Sequence, residues 1–335
     1  MKKAISALLL AAVLLTLPLS LISCDSSEVH NRVFYEYFDT VTVVYDYTGG
    51  SLEDFDAVAE DIEDALREYH RLYDIYNEYD GFANLATVNR LAGEGPVKVD
   101  SKIIDMLLYA KEAYRLTGGA VNVAMGSVLS LWHEAREGGV SLPDSESLGL
   151  AAEHVSIDSL VINVTESSVE ITDPEASLDV GAIAKGYATE KIAELLIARG
   201  ISGYALDVGG NLRVVGTKPD GSGWTSGIKN PDLAASDPYV RVLTVSDSAL
   251  VTSGVYERFF TVDGVKYHHI IDPETLMPGT RYLSVSVHAP SSALADALST
   301  ALFNMDYGEA EKLVSTLDGV EATFVFSDGT VTICD

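Results

Sequence analysis

Cysteine and positive charge are both scarce in this chain. Only Cys24 and Cys334 occur in 335 residues, too few for a disulfide framework or a thiolate metal cluster. Lys and Arg number 22 against 50 Asp and Glu, a formal charge of -28. Such a surface repels phosphate backbones and anionic headgroups, so no nucleic-acid partner is expected. The same charge restricts small ligands: a diphosphate can be held only through a local cation, helix N-termini or a metal ion. Past the first two dozen residues no apolar run is long enough to span a bilayer. There is no repeat of fixed period, no low-complexity linker and no GxxxxGK[ST] phosphate loop. What remains is an ordinary globular composition over some three hundred residues. It predicts an α+β domain, single or two-lobed, of mostly antiparallel strands with flanking helices.

The first residues, MKKAISALLLAAVLLTLPLSLISC, carry Lys2 and Lys3 before a Leu/Ala-rich stretch broken by Thr16, Pro18 and Ser20. That is the pattern of a cleaved export signal rather than a stable spanning helix. Leu21-Ile22-Ser23-Cys24 has the form of a lipobox, which predicts a lipoprotein-type signal peptide over 1–23 and acyl chains such as palmitate on Cys24. An uncleaved anchor, or a secretory signal with a chance cysteine, is the alternative. Residues 24–32 are expected as a lipid-anchored tether and 33–335 as the folded domain, on the extracytoplasmic face of a bacterial membrane. With Cys24 acylated, Cys334 has no intramolecular partner.

Residues 34–47 alternate and are rich in Val, Thr and aromatics, which predicts a first strand. Ser51 with Glu53 and Asp54 opens a helix running to about Ile75. A second helix spans about 101–116 and stops at Gly118-Gly119, and 161–172 forms a hairpin. A helix covers 182–199, and short strands dominate to residue 289, one of their turns being Asp263-Gly264. Ser291 caps a helix to about Phe303, another covers 308–317, and a hairpin around Asp328-Gly329 ends the chain.

Four segments could carry chemistry. In 291–303 a helix sets Asp296, Ser299 and Thr300 on one face, hard oxygen ligands suited to Mg²⁺; a solvated acid in the first helical turn is the plainer reading. In 177–196 a strand, a Gly-containing turn and a helix near Ala182 bring Asp179 and Lys185 to a helix start that can meet phosphate, although such units are common. The Gly209-Gly210 pair admits either close approach to a ligand or a tight turn. His268 and His269 end a strand and point to opposite faces, so at most one serves a site.

The order of FDTVTVV, TGGAVNVAMGSVLSLW, LDVGAIAKGYA, DVGGN, LVTSGVYERFF, YHHIIDP and ADALSTALF over about residues 34–305 resembles the FAD:protein FMN transferase family, the ApbE-type flavin transferases. The resemblance implies an Mg²⁺-dependent enzyme that cleaves the FAD diphosphate, releases AMP and attaches FMN through a phosphoester to a Ser or Thr of an acceptor redox protein. It implies a metal site of Asp296, Thr300 and the Ala182 carbonyl, with Ser299 nearby. It implies FAD contacts from Tyr76, Gly119, Ala120, Val121, Asn122, Asp179, Lys185 and Ile270, with His269 as a candidate base. The chain departs from the family pattern at Phe38-Asp39, where Met-Gly is common, at Asn122 for Asp, and at Leu276 for Gly. A FAD diphosphatase using water, or a flavin-binding lipoprotein without chemistry, are the competing functions; a metal ligand set on the diphosphate favours the enzymes.

Overall fold

The computed structural model describes residues 29–335 apart from Val140, Leu233 and Glu257; the expected signal segment and Cys24 lie outside the described residues. Eight strands form the main sheet: β1 (His30–Phe34), β2 (Thr42–Asp46), β3 (Tyr204–Val208), β4 (Asn211–Val215), β5 (Ala249–Gly254), β6 (Tyr282–Ala289), β7 (Glu321–Phe326) and β8 (Val331–Cys334). Their order across the sheet is their order in the chain. Every neighbouring pair is antiparallel.

The expected first strand over 34–47 is two strands. β1 begins at His30, inside the stretch expected as tether, and the chain turns over residues 35–41 before β2. That turn carries Phe38 and Asp39 at φ 55° and 51°, a conformation usually left to glycine. No turn-forming glycine marks it in the sequence, so the alternation reads through.

Eight helices occur among the described residues: α1 (Leu52–Tyr73), α2 (Leu85–Arg90), α3 (Ser101–Leu116), α4 (Gly126–Gly138), α5 (Ser145–Ala151), α6 (Ala184–Ala198), α7 (Ser292–Asn304) and α8 (Tyr307–Val314). Ser51 caps α1 by accepting from the Asp54 N–H, and Ser291 caps α7 through Leu294, each satisfying a free donor of a first turn. α6 starts two residues later than the pattern predicts. α4 and α5 were not anticipated.

One face of the sheet is covered by helices. Phe55, Ala59, Ile62 and Leu66 of α1 and Ile192 and Leu196 of α6 pack on Val44, Leu206 and Val215. Leu298 and Leu302 of α7 pack on Val251, Val285 and Phe324. The opposite face is closed by a hairpin, Trp224–Lys229 with Tyr239–Val245, whose Trp224 and Ile228 meet Ala205, Val214 and Leu250. A second lobe, made by α2, α3 and a small three-stranded sheet, has a core that continues into the start of α6 and the inner face of α7. The cleft between lobe and sheet therefore opens where α6 begins and α7 presents its polar residues.

Candidate active site

The contact between α6 and α7 sets the geometry. Gly186 is the third residue of α6, within its first turn, and a Cβ built there would stand 2.5 Å from the Ser292 carbonyl oxygen and closer still to the Asp296 Cβ. Only glycine admits this approach. Its result is a hydrogen bond of 2.7 Å from the Gly186 N–H to Asp296 Oδ2. That N–H is one of the donors a helix start leaves free, and Asp296 satisfies it. Tyr187 does bond back to Ile183, but among the described residues no N–H takes the Ala182 oxygen.

Asp296 is almost wholly buried. Burial pushes its carboxyl above the ordinary range, against the Lys185 ammonium, the Gly186 N–H and the Asn211 side chain, which favour the charged form. Lys185 Nζ lies 3.9 Å from Oδ1, beyond hydrogen-bond length. The buried Asn211 sits close enough to act on the carboxylate, yet its amide nitrogen completes no hydrogen bond of normal geometry. Ser299 Oγ donates back to the Asp296 carbonyl at 3.0 Å and meets Ser253 Oγ at 2.8 Å; Ser253 also lies 3.4 Å from Thr300 Oγ1. A buried carboxylate and three hydroxyls gather here, and the unclaimed Ala182 carbonyl belongs to the adjoining start of α6. All are hard oxygen donors, and this set fits Mg²⁺. Among the described residues there is no cluster of three or more His, Cys, Asp or Glu with metal-site geometry.

The cleft beyond carries the cations that the acidic composition demands. An open hollow of about 370 Å³ is lined by Asp39, Arg136, Arg258 and Phe259. It adjoins a narrow crevice bordered by Trp132, His133, Arg136, Tyr267 and His269. As expected of neighbours on a strand, the two histidines part company. His268 turns inward, 2.6 Å from the Gly279 carbonyl. His269 faces the crevice with one edge open to solvent. Protein atoms crowd it nonetheless, and desolvation, reinforced by the charges of Arg258 and Lys185, lowers its pKa to about 4. Its Nδ1 lies 3.2 Å from the Arg258 carbonyl. A carbonyl only accepts, so Nδ1 carries the proton and Nε2 is the free base.

The remaining expected residues divide. Asp179 Oδ1 accepts the Gly181 N–H at 2.8 Å, while Oδ2 faces His133. Tyr76 stands at the rim, 63% exposed. In the 119–122 loop only backbone is left for a ligand at two positions: the Val121 side chain is core, and the Asn122 side chain caps Ala124 and holds the Val155 carbonyl. Ile270 is likewise a core residue, its N–H given to His268 Nδ1. Gly209-Gly210 is the two-residue turn of the β3–β4 hairpin, with φ 58° and 86°, which decides for the turn. Ser253, Asn211, His133, Arg136 and Arg258 were missed by the sequence reading. Asn211 ends the segment DVGGN, and Ser253 and Arg258 lie inside LVTSGVYERFF; His133 and Arg136 have no local signal.

The ApbE family model matches residues 39–324. A protein of Treponema pallidum named FAD:protein FMN transferase is 37% identical over 258 residues, covering 73% of this chain and 71% of its own. One of Klebsiella pneumoniae with the same name is 30% identical over 239 residues, covering 71% and 73%. Among solved structures, the ApbE protein of Thermotoga maritima superposes with a TM-score of 0.81 at 25% identity, over 92% of this chain and 97% of that one. The flavin transferase ApbE of Vibrio cholerae gives 0.77 at 25% identity, over 91% and 97%.

Proposed function

The chain belongs to the ApbE family, and from that premise we propose how this flavin transferase works: it moves the FMN half of FAD to a Ser or Thr hydroxyl of an acceptor redox protein and releases AMP. The observation that carries the reading is the contact between the start of α6 and Asp296 of α7. Gly186 donates to the buried Asp296 carboxylate, and at the same helix start no backbone N–H among the described residues takes the Ala182 carbonyl, in a protein with few cations.

Asp296, Thr300 and the Ala182 carbonyl, with Ser299 adjacent, would hold Mg²⁺. When bound, the ion would offset charge on the diphosphate and on departing AMP. Lys185 adds a mobile cation to the same pocket. Asp179, Tyr76 and the 119–122 backbone would orient FAD. In the transfer a bond forms between the acceptor oxygen and the flavin-side phosphorus. The bond from that phosphorus to the bridging oxygen breaks, and the oxygen leaves with AMP. The hydroxyl proton passes to His269 Nε2, whose basicity rises when the negative diphosphate arrives beside it. The protein contributes alignment and a fixed field.

The test incubates the full-length chain with FAD, Mg²⁺ and an exported redox subunit carrying an exposed Ser or Thr. Covalent flavin fluorescence and a mass gain of one FMN unit on the subunit support the reading. Free FMN with an unlabelled subunit replaces transfer by hydrolysis, and unchanged FAD leaves only binding. The N-terminal pattern supports a lipid-anchored, extracytoplasmic enzyme. Cys24→Ser then moves the protein from the membrane to the soluble fraction of cells; continued membrane retention refutes the anchor.

A further inference from the structure

His133 belongs to a helix the sequence reading did not foresee, and nothing in the reaction above uses it. Its orientation is fixed by its neighbour. Trp132 Nε1 donates to the Leu276 carbonyl at 2.9 Å, and its ring packs on Phe260 and Tyr267, so the next residue of α4 must face the crevice. There the imidazole meets two groups from distant parts of the chain. Nδ1 lies 3.1 Å from the Tyr76 hydroxyl, and Nε2 lies 3.8 Å from Asp179 Oδ2. Among the described residues the Tyr76 hydroxyl makes no other hydrogen bond.

The polarity of this chain can be worked out. Desolvation, with help from Asp179, pushes the Tyr76 hydroxyl up to about 12, so it stays protonated and donates. Burial lowers the His133 pKa, against the pull of Asp179, so the ring is neutral and accepts at Nδ1. The proton of a neutral ring that accepts at Nδ1 sits on Nε2, facing the carboxylate. At 3.8 Å that contact is longer than a hydrogen bond, which leaves Oδ2 able to take a donor from a ligand while its direction is held.

We propose that His133 is a positioning residue of the FAD site, holding the Tyr76 ring and the Asp179 carboxylate at a fixed separation so that the flat ring of a dinucleotide meets one and its polar edge meets the other. This rests on the flavin-transferase reading and adds a residue to it. The Tyr76 hydroxyl has no other partner among the described residues at the rim, and a rim side chain with unrestrained rotamers must be ordered at each binding event, a cost that pre-organisation removes.

The experiment titrates FAD into the full-length chain and follows flavin fluorescence. His133→Ala weakens FAD binding by about three- to tenfold, the worth of one net hydrogen bond. His133→Asn, whose amide oxygen falls near the Nδ1 position, restores most of the affinity, whereas His133→Gln, which reaches only toward the Nε2 side, does not. Tyr76→Phe combined with His133→Ala binds no more weakly than the weaker single variant, since both remove one interaction. A filler of α4 would show neither the Asn rescue nor the non-additivity. If His133→Ala does not fold, the Asn and Gln variants decide alone. Wild-type affinity in His133→Ala, no rescue by Asn, or losses that multiply in the double variant overturn the proposal. A wild-type chain that does not bind FAD removes the underlying reading as well.

Discussion

Gly186→Ala gives a test in which the sign of the effect is informative. Gly186 has ordinary helical geometry in the first turn of α6, so on propensity alone alanine should stabilise the helix, by at most about 1 kcal/mol. The added methyl, however, would stand 2.5 Å from the Ser292 carbonyl oxygen, where non-bonded atoms settle at about 3.5 Å. Both helices are buried against the sheet, so α6 and α7 must part by about 1 Å or deform. Overpacking of this kind costs about 1–3 kcal/mol, and the net change should be destabilising. The same displacement separates the Ala182 carbonyl from Asp296 and breaks the Gly186 hydrogen bond; a shift of about 1 Å in a reacting constellation costs on the order of a hundredfold in rate. Urea denaturation gives the first quantity, and FMN transfer at saturating FAD and Mg²⁺ gives the second. A variant that is more stable than wild type and fully active would refute the whole account of the helix contact.

Asp296→Asn should keep or raise stability, because it replaces a buried carboxylate by a neutral amide, while abolishing transfer; the Mg²⁺-induced rise in melting temperature should vanish with it. For His269 the folded pKa near 4 lies below the ordinary 6.5. The unfolded chain therefore binds more protons between these values, so this residue's share of stability is complete above about pH 6.5 and is lost as pH falls toward 4. His269→Gln should flatten that part of the stability profile in acid titrations followed by circular dichroism. Glu190→Gln should destabilise by roughly 3 kcal/mol in urea, since the buried Arg213 loses the charge of its 3.1 Å partner and the one remaining side-chain oxygen cannot serve both Arg213 and the Ser292 N–H.

Much of the frame could be read directly. Ser51 and Ser291 announce helix starts because a cap is a local chemical event, and Asp263-Gly264 announces a hairpin because only certain residues adopt φ 49° and 81° in succession. The helix start at α4 was invisible for the converse reason: Met125 precedes it and makes no side-chain cap. The turn at Phe38-Asp39 and the loop at Leu276, φ 59°, were hidden alike, because the residues that departed from the family pattern stand at left-handed positions where glycine would have betrayed the bend. In the candidate site, Asp296 and Thr300 were legible as one helical face. The Ala182 carbonyl carries no side-chain signature at all, and Ser253, Asn211 and His133 join the cleft only because sheet order and lobe packing gather elements far apart in sequence.

The regular succession of strands conceals one long wait. β2 and β3 pair from Asp46 opposite Tyr204, yet everything from residue 47 to 203 is made between them. At ribosomal speeds of about 5–20 residues per second, roughly ten to thirty seconds pass in which the first two strands are without their neighbour. During that interval their open rim is a template for mispairing with another nascent chain. Biogenesis of this enzyme is thus exposed to crowding early, before most of the chain has emerged, and a chaperone that shields the first fifty residues would protect it more than one acting on the finished sheet.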